Sequence, residues 1–236
     1  MFLRSAAIVL AIAGALSAQS SAIDTYRAAL ARAQSGPAPR TIEPAFVAID
    51  AVEKALMNSA GGKSRLESMT ASEFQQMEKQ LPGLLISREE IVFVKPDVKF
   101  FTRLSESGDA ADRAFFAALG ATYPDSVWAV YNERQTDYSG CTRFGSMALV
   151  DTYRRWSDYQ RRFPNRYRAR ATGEIGDVTN DLTTSTCACG EIASVERELT
   201  AFIREFPAAT ARAAAEARLK AVQAGTSGMR ARCKSG

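Results

Sequence analysis

Residues Tyr153–Pro164 read YRRWSDYQRRFP. Trp156, Tyr159 and Phe163 follow at spacings of three and four, which sets them on one side of an α-helix. Pro164 comes directly after the last aromatic, and proline cannot continue the helical hydrogen-bond ladder. The stretch is therefore a helix with an aromatic face and an abrupt stop. The same order returns in Leu199, Phe202, Phe206, Pro207 and in Phe116, Leu119, Tyr123, Pro124. The prolines lie 40 and 43 residues apart. A further helix is expected after two of them, over Arg166–Leu182 and Ala209–Gln223. Helix–turn–helix units at such a period stack into α-solenoids.

From Tyr153 to Val222 the chain resembles the degenerate tetratricopeptide-type repeats of cell-envelope proteins. In these an aromatic helix ends in F-P or Y-P, and an Ala-rich helix ending in Leu follows. Ala214 and Ala217 before Leu219 fit that second helix, and Ala171 before Ile175 is the earlier counterpart. A poorer copy lies around Phe116. The Trp, Leu-Gly, Tyr pattern of the family's first helix is absent here. The resemblance implies antiparallel helix pairs that present a surface to a protein partner.

Upstream, Ile23, Tyr26 and Leu30 share one helical face, and Ser35–Pro44, with three prolines and a glycine, is an extended connector. Phe46, Ile49, Val52 and Leu56 mark a second amphipathic helix, stopped near Gly61-Gly62. Thr70 with Glu73 forms a capping box for a third, with Met69 and Phe74 as its hydrophobic staple. Leu84–Ile86 and Ile91–Val94 are short apolar runs that fit a small hairpin or a helix capped at Ser87. Pro96 is expected to open the next helix, and Asp109 to cap the one after it.

The first 22 residues, MFLRSAAIVLAIAGALSAQSSA, have the form of a signal peptide: Arg4, an uncharged run from Ala6 to Leu16, then small residues. Cleavage is expected near Ala18 or Ala22. The apolar run is well short of the roughly 20 residues a membrane anchor needs. Behind it stand four cysteines, Cys141, Cys187, Cys189 and Cys233, an even count that indicates two disulfides in an exported chain. Bridging Cys187 to Cys189 would strain a very tight ring, so Cys141 and Cys233 pair with the two cysteines of the C-A-C in one of two ways.

The 236 residues contain no histidine. Ser-His-Asp and Cys-His catalysis and histidine-ligated metals or haem are thereby excluded. Among charged segments, Asp151–Arg170 carries seven arginines and five aromatics. Tyr153, Trp156, Tyr159 and Phe163 belong to its core face; Arg154, Arg155, Arg161 and Arg162 lie opposite, as a solvated face or a contact for a polyanion or a protein. The loop Gln135–Gly145, QTDYSGCTRFG, is held by Cys141, and its Asp137, Tyr138 and Arg143 are candidate binding residues. Glu89-Glu90 and Asp109/Asp112 are the visible carboxylate neighbours, the second of them in the pattern of a cap and first-turn charge.

These observations predict an all-α chain of antiparallel helix pairs, a TPR-like solenoid or an irregular bundle, with at most a minor two-strand hairpin near 84–94. Its expected parts are a signal peptide (1–22), an N-terminal helical region (23–95) and a C-terminal repeat-like region with disulfides (96–236). The expected function is a non-enzymatic binding or scaffold role in the bacterial cell envelope, periplasmic or secreted, with a protein partner. No metal, cofactor, nucleic acid or membrane anchor is expected. The alternatives are an inhibitor or immunity-type protein of an extracytoplasmic enzyme, and a histidine-free carboxylate hydrolase of cell-wall glycan.

Overall fold

The computed structural model describes residues 21–37, 39–60, 63–89, 91–124, 127–134 and 140–233. The chain is mostly helical and divides into two compact units, Met1–Phe116 and Ala117–Gly236. The division falls within one helix, so residues 96–116 belong with the N-terminal unit.

In the first unit, α1 (residues 21–35) buries Ile23, Tyr26 and Leu30, the face its spacing predicts. Helix α2 (Glu43–Met57) buries Phe46, Ile49, Val52 and Leu56. After a minimal ladder of β1 (Ser59–Ala60) with β2 (Lys63–Ser64), two capping boxes start consecutive helices. Ser64 with Glu67 opens α3 (Arg65–Ser68), and Thr70 with Glu73 opens α4 (Ala71–Gln80). The two short apolar runs form the hairpin: β3 (Leu84–Arg88) pairs antiparallel with β4 (Val92–Pro96), with Ile86 opposite Val94. Helix α2 packs on β4.

Pro96 is the last strand residue and does not open a helix. Asp97 caps α5 (Val98–Ser105) instead, its carboxylate accepting from Phe100 N at 3.1 Å. Pro at N1 and Asp at the cap are both good starts, but the ladder has already fixed Pro96 as extended. Gly83, at the mouth of the hairpin, has φ +86°, and a Cβ there would meet the Phe100 ring at 2.6 Å. The centre of this unit is aromatic: Phe46 meets Phe101, Phe115 and Phe116 edge-on at 5.1–5.5 Å. Asp109 and Asp112 bond each other's backbone N–H at 2.9 and 3.2 Å, a reciprocal cap for α6 (Ala110–Thr122).

In the second unit, β5 (Asn132–Arg134) and β6 (Gly140–Thr142) form a short antiparallel stem. Four helices follow: α7 (Ala148–Arg162), α8 (Arg168–Thr184), α9 (Ile192–Glu205) and α10 (Arg212–Gln223). Short turns join α7 to α8 and α9 to α10, and each pair packs together along its length. Between pairs, α7 lies against α9 and α8 against α10. Trp156 and Phe202 are fully buried, and Tyr153 meets Phe202 edge-on at 4.9 Å.

The aromatic-proline endings behave alike in all three copies. Tyr123, Phe163 and Phe206 each donate their N–H to the carbonyl four residues back, at 2.9 Å, and the following proline ends the ladder. The copy around Phe116 is nevertheless not a third helix pair. After Tyr123-Pro124, residues 127–134 run through a turn into β5.

Candidate functional site

The cysteines pair as Cys141–Cys189 and Cys187–Cys233, with Cα separations of 5.1 and 5.8 Å. This settles the two arrangements left open by spacing. Around the bridges the backbone forms a narrow parallel ladder, in which Thr142 pairs with Ala188 and Cys187 with Arg230. Thr142 N donates to Cys187 O at 2.9 Å, and Ala188 N to Arg230 O at 2.9 Å. The β5–β6 stem is thereby tied, through residues 187–189, to the chain end at 229–233.

Of the candidate binding residues, Asp137 and Tyr138 lie outside the described residues. Arg143 sits at the foot of the stem and pairs with Glu133 at 3.4 Å. On α7, Arg154 bonds Asp151 and Glu205, whose carboxylates push its pKa further up. Arg161 pairs with Asp158 at 2.8 Å, and the Arg162 guanidinium lies 5.1 Å from the Phe163 ring centre. Arg155 is half-buried on the same helix. Local acids and rings therefore engage three of these four α7 arginines. Glu90 lies outside the described residues, Glu89 is exposed, and Asp109 and Asp112 are engaged in the helix cap.

The described residues of this unit form an open cleft of about 260 Å³. One wall is the end of α6 and the segment leading to β5, with Tyr123, Trp128 and Tyr131. The other is α8, with Asp177, Asn180 and Asp181. Spacing supplies the acidic wall: Glu174, Asp177 and Asp181 stand at i, i+3 and i+7 on one helical face. This is the sequence signal that could have pointed to the site.

Behind the cleft, Glu174 is fully buried, accepts from the Tyr123 hydroxyl at 3.1 Å and pairs with Arg170 at 2.7 Å. Burial raises the Glu174 pKa, and Arg170 and the Tyr123 hydroxyl offset part of that rise. Asp181 accepts from the Asn132 amide at 3.1 Å; its pKa is raised by burial, with a further push from Asp177. Tyr131 is held far above the ordinary phenol value by burial and by the neighbouring negative charge of Asp181, Glu174 and Asp177. Among the described residues lining the cleft there is no Lys or Arg. No group of three or more Cys, Asp or Glu among the described residues is placed to hold a metal ion. No described helix is long and apolar enough to cross a membrane.

No protein-family model, no curated protein and no solved structure matches this chain.

Proposed function

We propose that this chain is an exported binding module of the bacterial cell envelope, acting through protein–protein contacts rather than by catalysis. Export would use the leader ending near Ala18 or Ala22, and the two disulfides suit an oxidising compartment. The observation that carries this reading is the second unit. Two packed helix pairs and two disulfides hold an open cleft on fixed elements, as a preformed recognition surface requires. The stacking of α7/α8 on α9/α10 supports a tetratricopeptide-like arrangement.

The test is capture of partners by the tagged, exported protein after mild crosslinking in the native envelope. A single stoichiometric protein partner supports the module. Loss of that partner in variants of Asp137, Tyr138 and Arg143 would put the interface on the stem loop. Loss in variants of Asp177 and Asp181 would put it on the cleft. Inhibition of a captured enzyme would mark the inhibitor or immunity variant of this reading. No partner would overturn it.

A second reading, a glycan hydrolase, draws on Asp177 and Asp181, one helical turn apart on α8. Burial raises the pKa of Asp181, as a carboxylic acid catalyst requires. Release of soluble fragments from purified cell wall, abolished by Asp181→Asn, would decide for it.

A further inference from the structure

We propose that the cleft of the second unit receives the ammonium or guanidinium end of a basic side chain of the partner protein. This deepens the binding-module reading and rests on it. Two half-buried aromatic residues, Tyr123 and Trp128, and the almost fully buried Tyr131 line the cleft together with Asp177 and Asp181 of the acidic helix wall, around a volume of about 260 Å³. Aromatic faces attract cations through the ring quadrupole, and the attraction grows as water is excluded. The two carboxylates add charge-assisted acceptors, and Asn132 and Asn180 complete a polar lining.

The cleft's described lining contains no cation of its own. Arg170, on the same helix, is engaged on the buried Glu174. The alkyl stem of lysine or arginine can lie on apolar and aromatic surface while its charged end stays at the acids of α8. Aromatic rings beside carboxylates are a lining that complements an organic cation. Burial chiefly raises the pKa of Asp181 and the charge of Asp177 adds to it, and a cation bound at this wall would offset that repulsion.

The experiment is a nitrogen–proton correlation titration of the full mature chain with Ac-Gly-Lys-Gly-NH2 and its arginine analogue. The lysine peptide acetylated at Nζ is the neutral control. Saturable shifts are expected at the Trp128 indole N–H and the Asn132 side-chain amide. The Trp156 indole, buried and donating to Thr122 Oγ1 at 3.0 Å, should stay still. The acetylated peptide should give no saturable shift. Asp177→Asn with Asp181→Asn should weaken binding about tenfold or more, as loss of hydrogen bonds to a charged group does.

Asp177→Asn alone, at an exposed helix position, provides a folded variant should the double change unfold the unit. An unmoved Trp128 with the basic peptides overturns the proposal, and so do equal shifts with the acetylated peptide. Shifts produced instead by a neutral N-acetylglucosamine oligomer would also overturn it. The two readings fail separately. Peptide binding without any captured protein partner removes the module. A captured partner without peptide binding removes only the cationic cleft.

Discussion

Glu198, fully buried on α9, accepts the backbone N–H of Leu149, in the first turn of α7, at 3.0 Å. The same carboxylate also accepts from Gly145 N, from Met147 N at 3.2 Å and from Val150 N at 3.5 Å. Helix α7 has no cap from its own flanking residue, Met147, which is left-handed at φ 65°. The first N–H groups of a helix must find acceptors, and a buried set is costly to leave unmade. A side chain from the other helix pair thus supplies the cap. Gly145 and Met147 are left-handed, and their N–H groups join those of Leu149 and Val150 on one carboxylate. Gly145 is required there: a Cβ would meet Ser194 Cβ at 2.6 Å.

Glu198→Ala is expected to lower the free energy of unfolding by about 3 kcal/mol, since several buried donors lose their acceptor. Glu198→Gln keeps one acceptor oxygen and should fall between wild type and the alanine variant. Urea denaturation with both disulfides intact measures this. An alanine variant as stable as wild type would show that the cap contributes nothing.

Such a cap is invisible in sequence, because its partners are backbone groups brought from far away. Glu198 sits beside Leu199 in a stripe with Val195 and Phe202, where only its charge departs from the apolar pattern. By contrast α7 and α9 were legible, since aromatic period and terminal proline act locally. The hairpin of β3 with β4 was legible only as an alternative, because apolar runs of three and four residues suit strand and helix alike. Strands of three residues, as in β5 and β6, carry no period at all. The acidic wall of the cleft was present as Glu174, Asp177 and Asp181, but the rings opposite it reach the site only through the fold. Cysteine spacing narrowed the pairing to two choices, and only the ladder of Thr142 with Ala188 shows why Cys141 meets Cys189.

The two bridges span similar separations, 48 residues for Cys141–Cys189 and 46 for Cys187–Cys233. Restriction of the unfolded chain makes them nearly equal in stability, about 4 kcal/mol each. Their local effects should differ. The Cys141→Ser/Cys189→Ser variant should speed amide exchange in the β5–β6 stem, whereas Cys187→Ser/Cys233→Ser should free mainly the end at 229–233. Residue-resolved hydrogen exchange separates them, and identical exchange profiles would contradict the assignment of each bridge to its segment.

Glu174, Asp181 and Glu198 are all raised above ordinary carboxylate values, by burial first in each case. The folded chain therefore keeps these protons to higher pH than the unfolded chain does. Between the unfolded and folded pKa values the native state binds more protons, so stability falls as pH rises through that window. The window opens at 3.8 for Asp181 and 4.5 for the two glutamates and extends upward. Glu67 and Glu73 are lowered by their capping boxes and act in the opposite sense, but both are at the surface, where solvent screens them. The denaturation midpoint should fall as pH is raised above 4.5, and Glu174→Gln, which keeps an acceptor for Tyr123, should flatten that fall. A midpoint that rises over the same range in the wild type would contradict the buried-carboxylate account.

The opposite charge closes the far end of α8. Arg218, on α10, donates to the carbonyl oxygens of Thr183 and Ser185, where the helix ends. Burial pushes its pKa down, so the site costs desolvation that the carbonyl bonds and the negative end of the helix dipole must offset. A guanidinium can serve two carbonyls with separate nitrogens in one plane, and a lysine ammonium on a thinner stem cannot reproduce that fork. Arg218→Met keeps much of the apolar stem and removes the donors. It should destabilise the chain by about 2 kcal/mol, from carbonyls left without their charged partner. Arg218→Lys should recover less than half of the loss. Full recovery by lysine in thermal or urea denaturation would mean that charge alone acts there, and that the fork geometry does not matter.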